Sequence, residues 1–453
     1  MHPQIWHCMM LSSDYKKHFQ ENFFLAYPVV LSQLGHVLVS VVDSIMVGQT
    51  GTLPLAASSL GNSIFTVVMV LGLGLSISIT PLVAGAHGRK NKKRISLLLI
   101  NGVLVCTAGG LLLFLSGYLI SPLLRHLNQP VQVVNLAIPY FHILCFSMLP
   151  LMVFQGFRQF AEGLSLTKQS MYISVIANAL NVVGNYMLIY GKWGAPALGL
   201  NGAAISTMLS RVIMAFMMGY YVMNAKRLKV YRLRWKRKFI SVRHMSRIIK
   251  LGWPISLQMA FEVGAFSFSA IMIGWLGARE LAAHQIAISI ASLTYMMAGG
   301  IAAAATIRVG NLFGRGQVTE MQKAGYSSLM MVIIFMSTAG LMLILLNNFI
   351  PQLYVKDPEV IKVAAGLIII AALFQISDGV QVVGLGTLRG LEDVKIPSMI
   401  SLLAYWGVAL PIGYVLGFTL GGGANGIWTG LLIGLTIAAI LLFFRFRKLS
   451  LEK

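Results

Sequence analysis

The chain has 453 residues, of which 57% are hydrophobic and 11% charged, with a formal net charge of +22. Soluble domains carry charge on about a quarter of their residues, so this composition excludes an ordinary soluble protein. The basic balance suggests a nucleic-acid partner only until the charges are placed, and their placement excludes one.

No signal peptide is evident. The opening HPQIWHCMM lacks a basic flank, and Lys16, Lys17 and Glu21 interrupt the approach to the first apolar run. Twelve apolar segments follow, near 23–47, 55–85, 96–118, 133–154, 170–190, 201–223, 251–275, 281–307, 324–347, 360–387, 397–418 and 425–444. Each is long enough to cross a bilayer as a helix. Helices satisfy their own backbone polar groups in lipid, and these runs are too long and apolar for barrel strands. The predicted fold is therefore an all-α integral membrane protein with about twelve transmembrane helices.

Lysine and arginine cluster after every second segment. Arg89, Lys90, Lys92, Lys93 and Arg94 follow the second, Arg158 and Lys168 the fourth, and Arg308, Arg315 and Lys323 the eighth. Arg389 and Lys395 follow the tenth, and Arg445, Arg447 and Lys448 the last. This positive-inside pattern places both termini in the cytoplasm of a cell whose inner (plasma) membrane holds the protein. The expected organisation is a tail at 1–22, an N-lobe of six helices at 23–223, a basic linker at 224–250, a C-lobe at 251–446 and a tail at 447–453. The linker is suited to lie against anionic headgroups. Cys8, Cys106 and Cys145 have no metal-ligand spacing, and no HExxH, GxSxG or P-loop pattern is present. Neither an enzyme nor a cofactor is indicated. GLGLS at 72–76 and GGGAN at 421–425 read as close helix packing and a turn.

The chain repeats itself. SIMVG at 44–48 recurs as AIMIG at 270–274, and LAA at 55–57 recurs at 281–283, both at an offset of 226. The same offset pairs Pro28 with Pro254, Gly51 with Gly277, Thr80 with Thr306 and Val83 with Val309. Gly163 pairs with Gly390 at 227. Six spans per half is an even number, so both halves enter the membrane in the same sense, which makes a parallel repeat. Transporters of this build bind substrate between their halves and rock one against the other.

Three carboxylates interrupt the apolar segments: Asp43, Glu262 and Asp378. A charge at the bilayer centre costs about 2.5–3.5 kcal/mol on insertion scales, so such a group faces a cavity or a partner and marks an ion, proton or substrate path by default. Asp43 falls seven residues after His36, on one helical face. Asn178, Asn181 and Asn185 form one stripe of the fifth segment. Asn can donate to a carboxylate, ligate Na⁺ through its carbonyl, or hold helices together. Thr207 can add a hydroxyl. Glu262 and Asp378 can share one proton, one Na⁺ or one cationic substrate, and such competition for one negative charge is what an antiporter requires.

These segments together resemble the multidrug and toxic compound extrusion (MATE) family, in its NorM-like branch. The resemblance rests on VDSIMVGQTGTLPLAA, YGKWGAPALGLNGAAIST, LAAHQIAISIASLTYMMAGGIAAAATIRVGNLFGRG and DGVQVVGLGTLRGLEDVKIP, and covers about residues 20–445. It implies two six-helix lobes and export of cationic, often aromatic compounds in exchange for Na⁺ or H⁺, and the chain is expected to act as a monomer. Asp43, Asn181, Asn185 and Thr207 match the family's N-lobe cation site. Glu262 and Asp378 match the C-lobe acids, and Pro28 the proline near which the first helix is proposed to bend. Some members carry Tyr one turn before the tenth-helix acid. Here it is Phe374, whose ring face can still meet a cation, with Gln375 and Ser377 as nearby oxygen donors. A lipid-linked precursor flippase of the same superfamily is the alternative reading. Apart from Arg211, the span interiors hold almost no Lys or Arg for anionic cargo.

Overall fold

The computed structural model describes residues 13–126, 129–231 and 239–452. Cys8, the first part of the expected N-terminal tail and residues 232–238 of the expected linker lie outside the described residues. Among the described residues twelve helices are long and apolar enough to cross a membrane. They are α1 (Tyr15–Gly48), α2 (Thr52–Gly88), α3 (Lys92–His126), α4 (Val131–Gly163), α5 (Thr167–Tyr190) and α6 (Gly199–Asn224). The second half holds α7 (Val242–Gly274), α8 (Ala278–Gly314), α9 (Val318–Leu345), α10 (Pro358–Gly390), α11 (Lys395–Thr419) and α12 (Gly423–Glu452).

The helices form two compact units whose borders fall inside helices. One unit, the N-unit, is Leu31–Ser256; the C-unit combines the described residues up to Val30 with those from Leu257 onward. The borders lie close to Pro28 in α1 and Pro254 in α7, each internal to a continuous helix. A proline there removes one backbone hydrogen bond without ending the helix, which membrane helices tolerate when neighbours satisfy the freed carbonyl.

Each unit has its own core. In the N-unit, Phe141, Phe154 and Phe160 are fully buried among α2–α6. In the C-unit, Trp428, Tyr405, Phe374 and Phe446 are the largest fully buried side chains. The start of α1 packs into the C-unit through Asn22, whose amide donates to Ala324 O (3.0 Å) and Ser328 Oγ (2.8 Å) of α9. His18 and Glu21 meet Arg308 of α8, and His18 also meets Glu320 of α9 at 2.9 Å.

The repeat read from the sequence is present in the backbone. Gly51 and Gly277 cap the starts of α2 and α8 with φ of 135° and 145° and ψ of 166° and 169°, a region open essentially only to glycine. Ser165 (φ 65°) and Glu392 (φ 61°) take the same left-handed turn after α4 and α10. Thr80 Oγ1 donates to Gln159 O (3.1 Å), and its counterpart Thr306 Oγ1 donates to Gly386 O (2.8 Å). Gly163 abuts Val83 and Thr80 O as Gly390 abuts Val309 and Thr306 O. α2 therefore crosses α4, and α8 crosses α10, by one shared device: a bonded threonine beside a glycine.

α11 departs from regular geometry. Leu403–Ala409 and Val415–Thr419 are π-helical and flank a short α-helical turn, Leu410–Tyr414, that holds Pro411. The first widened stretch holds the carbonyls that a residue 411 N–H would otherwise meet, and π segments of this kind collect at functional sites. GLGLS packs closely as expected: a Cβ on Gly72 would sit 2.8 Å from Leu113 Cδ1, and one on Gly74 2.6 Å from Ser256 N.

Most of the basic residues that the sequence places after alternate segments lie inside helices, Arg158, Arg308 and Arg389 among them. Arg158 and Glu162, one turn apart near the end of α4, are 6% and 3% exposed and pair at 2.6 Å. Arg308 lies within α8, and Arg389 occupies the last turn of α10. Hydropathy places the apolar middle of each helix but not its polar ends, which run on as helix.

Two expectations follow from this packing. Gly163→Ala and Gly390→Ala should each destabilise by about 1–3 kcal/mol through overpacking, whereas Gly299→Ala, with nothing within 4 Å of its added methyl, should be neutral. Thermal unfolding in detergent checks the contrast. By the same measurement Glu162→Gln, which leaves the Arg158 guanidinium buried against a neutral group, should lose about 3–5 kcal/mol. Arg158→Met combined with Glu162→Leu should lose less than that single change.

Candidate functional site

Asp43 lies near the end of α1, half-buried, where the Asn stripe of α5 meets it. Asn185 Nδ2 donates to Asp43 Oδ1. In the amide orientation that satisfies both its ends, Asn181 Nδ2 also donates to Asp43 Oδ1 (3.0 Å), and its oxygen accepts from the Thr207 backbone N–H (3.2 Å). α5 and α6 approach closely enough for this because Gly184 faces Ser206, whose hydroxyl donates to Asn181 O at 2.8 Å. The structure thus brings together Asp43, Asn181, Asn185 and Thr207. Asn185 Oδ1 is buried with no hydrogen-bond partner, a lone pair available to a cation. Asn178, one turn before Asn181 on the stripe, packs against Gly35 and leaves its Nδ2 buried and unbonded. His36 sits two turns from Asp43 on α1, in the field of the Arg158 and Arg211 charges.

Arg211 is the residue that sequence reasoning undervalued here. It lies one turn after Thr207 on α6, and its charge acts on Asp43 and Tyr140. Its Nη1 donates to Ser147 Oγ (2.5 Å) and its guanidinium lies 4.9 Å from the Phe65 ring centroid. Ser147 marks the break between the two helical segments of α4, Val131–Phe146 and Met148–Gly163. An aromatic face and a hydroxyl hold this cation near Asp43 while the asparagines occupy the carboxylate.

The C-unit has a denser polar cluster. Glu262 of α7 and Asp378 of α10 are each 4% exposed, and Asp378 lies in the field of the Glu262 charge. Gln258, one turn before Glu262, donates its amide to Glu262 Oε2 (3.2 Å) and accepts from Arg389 Nη2 (2.7 Å). The Tyr295 and Tyr405 hydroxyls neighbour Glu262, and Tyr405 donates to Gln381 Oε1 (2.9 Å). Tyr405 stands on the first π-helical stretch of α11, and the adjacent Trp406 Nε1 donates to Phe261 O (3.0 Å), tying that stretch to α7. Glu262 Oε1, Gln375 Oε1 and Gln381 Nε2 are buried without hydrogen-bond partners, an unusual concentration of unsatisfied groups.

The accessory residues divide. Phe374 stacks on Trp428 with centroids 5.5 Å apart and planes at 17°, so Trp428 takes one of the ring faces expected to meet a cation. Gln375 donates to Thr294 Oγ1 (2.9 Å) and keeps a free carbonyl oxygen. The Ser377 hydroxyl is engaged with Thr436 of α12 at 2.9 Å. Among the described residues no group of three or more His, Cys, Asp or Glu could hold a metal ion. Amide and hydroxyl oxygens would have to complete any Na⁺ shell. Gln258, Tyr295, Gln381, Arg389 and Tyr405 escaped sequence reasoning. The one signal that could have found them is polar side chains at helical spacing from the acids, as Gln258 is from Glu262.

A family model, MatE, matches the chain twice, over residues 28–187 and 254–415. The two matches begin at the paired prolines. The "Probable multidrug resistance protein NorM" of Idiomarina loihiensis is 34% identical over 441 residues, covering 96% of this chain and 95% of the relative. The multidrug resistance protein MdtK of Yersinia pseudotuberculosis is 36% identical over 431 residues, covering 94% of each. Among solved structures, the eukaryotic MATE transporter AtDTX14 superposes with a TM-score of 0.88 at 20% identity, covering 97% of this chain and 99% of that one. An outward-facing multidrug resistance MATE transporter of the MOP superfamily gives 0.86 at 20% identity, covering 96% of each. Twelve apolar helices in a duplicated array, matched half by half, carry one conclusion: the chain belongs to the multidrug and toxic compound extrusion family of membrane transporters.

Proposed function

We propose that this protein is a secondary active antiporter that exports cationic or aromatic drugs and toxic compounds in exchange for Na⁺ or H⁺, by alternating access of its two lobes. The observation that carries the reading is the pair Glu262 and Asp378, each 4% exposed, on two helices joined by the Arg389–Gln258 hydrogen bond, with Asp378 in the field of the Glu262 charge. Two carboxylates in so dry a site cannot both stand charged and empty. They require a proton, a metal cation or a cationic substrate, and an occupant of one kind excludes the others. Asp43, with Asn181, Asn185 and Thr207, offers a second such place in the N-unit. Inward movement of one cation supplies about 2.3 kcal/mol per 100 mV when the exchange is electrogenic.

The names of the relatives support drug-like cargo, and nothing in them favours the flippase alternative. The basic loops support an inner-membrane protein with cytoplasmic termini. We take it to act as a monomer, with the bilayer and its small-molecule cargo as partners.

Asp378→Asn and Glu262→Gln should each reduce gradient-driven ethidium efflux from proteoliposomes to the protein-free background while the purified protein remains folded and monodisperse. Asp43→Asn should slow efflux as well. Wild-type rates in both C-lobe variants would remove Glu262 and Asp378 from the coupling site.

A further inference from the structure

We propose that Arg389 is a captive counter-charge for Glu262, held one amide away by Gln258, and that it sets how tightly the C-lobe acids grip the coupling cation. The inference rests on the antiport reading and goes beyond it by assigning a positioning residue outside the acids.

The geometry is a directional chain. Arg389 Nη2 donates to Gln258 Oε1 at 2.7 Å, and Gln258 Nε2 donates to Glu262 Oε2 at 3.2 Å. Gln258 is 2% exposed. Its amide polarity is fixed by its neighbours, because a guanidinium only donates and a carboxylate only accepts. The bland reading is a basic residue that caps the last turn of α10 and reaches toward headgroups. The contact with Gln258 turns the guanidinium inward instead, and Arg389 Nε is left buried without a hydrogen-bond partner. Among the described residues, the remaining groups that face Glu262 are Tyr295 from α8, Asp378 from α10 and Tyr405 from α11, none of them a cation.

The spacer matters physically. A direct Arg–Glu pair would quench the carboxylate and bar a transported cation, whereas an acid with no cation near it would hold its occupant too firmly to release it. One interposed amide gives the intermediate case. Glu262 Oε1 stays open to an occupant, and the vacant site is partly neutralised while the carrier resets. The N-unit has a comparable arrangement in Arg211, held off Asp43 by Ser147 and Phe65.

The test measures ethidium efflux from proteoliposomes against the concentration of the driving cation, Na⁺ or H⁺. Arg389→Gln should lower the half-saturating concentration by about tenfold or more, the scale of removing one nearby charge, and should lower the maximal rate as release slows. Gln258→Leu keeps the charge but removes the spacer, so Arg389 closes on Glu262 and the half-saturating concentration should rise. Arg389→Lys should stay near wild type. If Arg389→Gln does not survive purification, the direction of the Gln258→Leu shift decides. Shifts of the same sign in the first two variants, no shift in Gln258→Leu, or identical behaviour of Gln and Lys at 389 would overturn the assignment while leaving antiport intact. Wild-type flux that responds to neither cation would overturn both.

Discussion

The constraint on which the rest of this structure depends is the cost of a charge away from water. Each carboxylate that interrupts an apolar helix must find its compensation inside the bundle. The protein meets this with neutral amides first and guanidinium groups second. Asp43 accepts from Asn185 and Asn181, with Arg211 held nearby by a hydroxyl and an aromatic face. Glu262 accepts from Gln258, which in turn binds Arg389. Glu162 is the contrast: Arg158 pairs with it directly at 2.6 Å, both are buried, and that pair is suited to structure rather than exchange.

The two halves share a backbone and not a chemistry. Thr80 and Thr306 make equivalent bonds, Gly163 and Gly390 fill equivalent crossings, and Gly51 and Gly277 adopt the same cap. At the 227-residue offset that pairs Gly163 with Gly390, buried Glu162 corresponds to Arg389. One half thus places a carboxylate where the other places the guanidinium that reaches toward its acid cluster. Duplication fixed the helix crossings, where sterics leave little freedom. The polar groups between crossings were free to diverge into two distinct buried acid clusters.

Much of this was legible in the sequence, for physical reasons. A bilayer demands long apolar runs, so the twelve spans stand out. An ungapped repeat exposes itself by its offset. A carboxylate in an apolar run is too costly to be incidental, which singled out Asp43, Glu262 and Asp378; helical spacing put Asn178, Asn181 and Asn185 on one stripe but could not tell which of them meet Asp43. What escaped were the ends of helices and the contacts between them. Hydropathy could not tell that Arg158, Glu162 and Arg389 continue the helices instead of joining loops. It could not show that Trp428 stacks on Phe374, or that α11 widens into π-helical turns and carries Tyr405 to Glu262. Those facts depend on which helices are neighbours, and no single segment contains that information.

If these buried acids link the movement of a cation to that of a drug-like molecule, purified protein in proteoliposomes will reveal it when ethidium transport is followed under an imposed Na⁺ gradient and, separately, under an imposed pH gradient. Ethidium flux should be concentrative under at least one of the two, with the effective gradient identifying the coupling ion. Ethidium movement that is indifferent to both gradients would contradict that link.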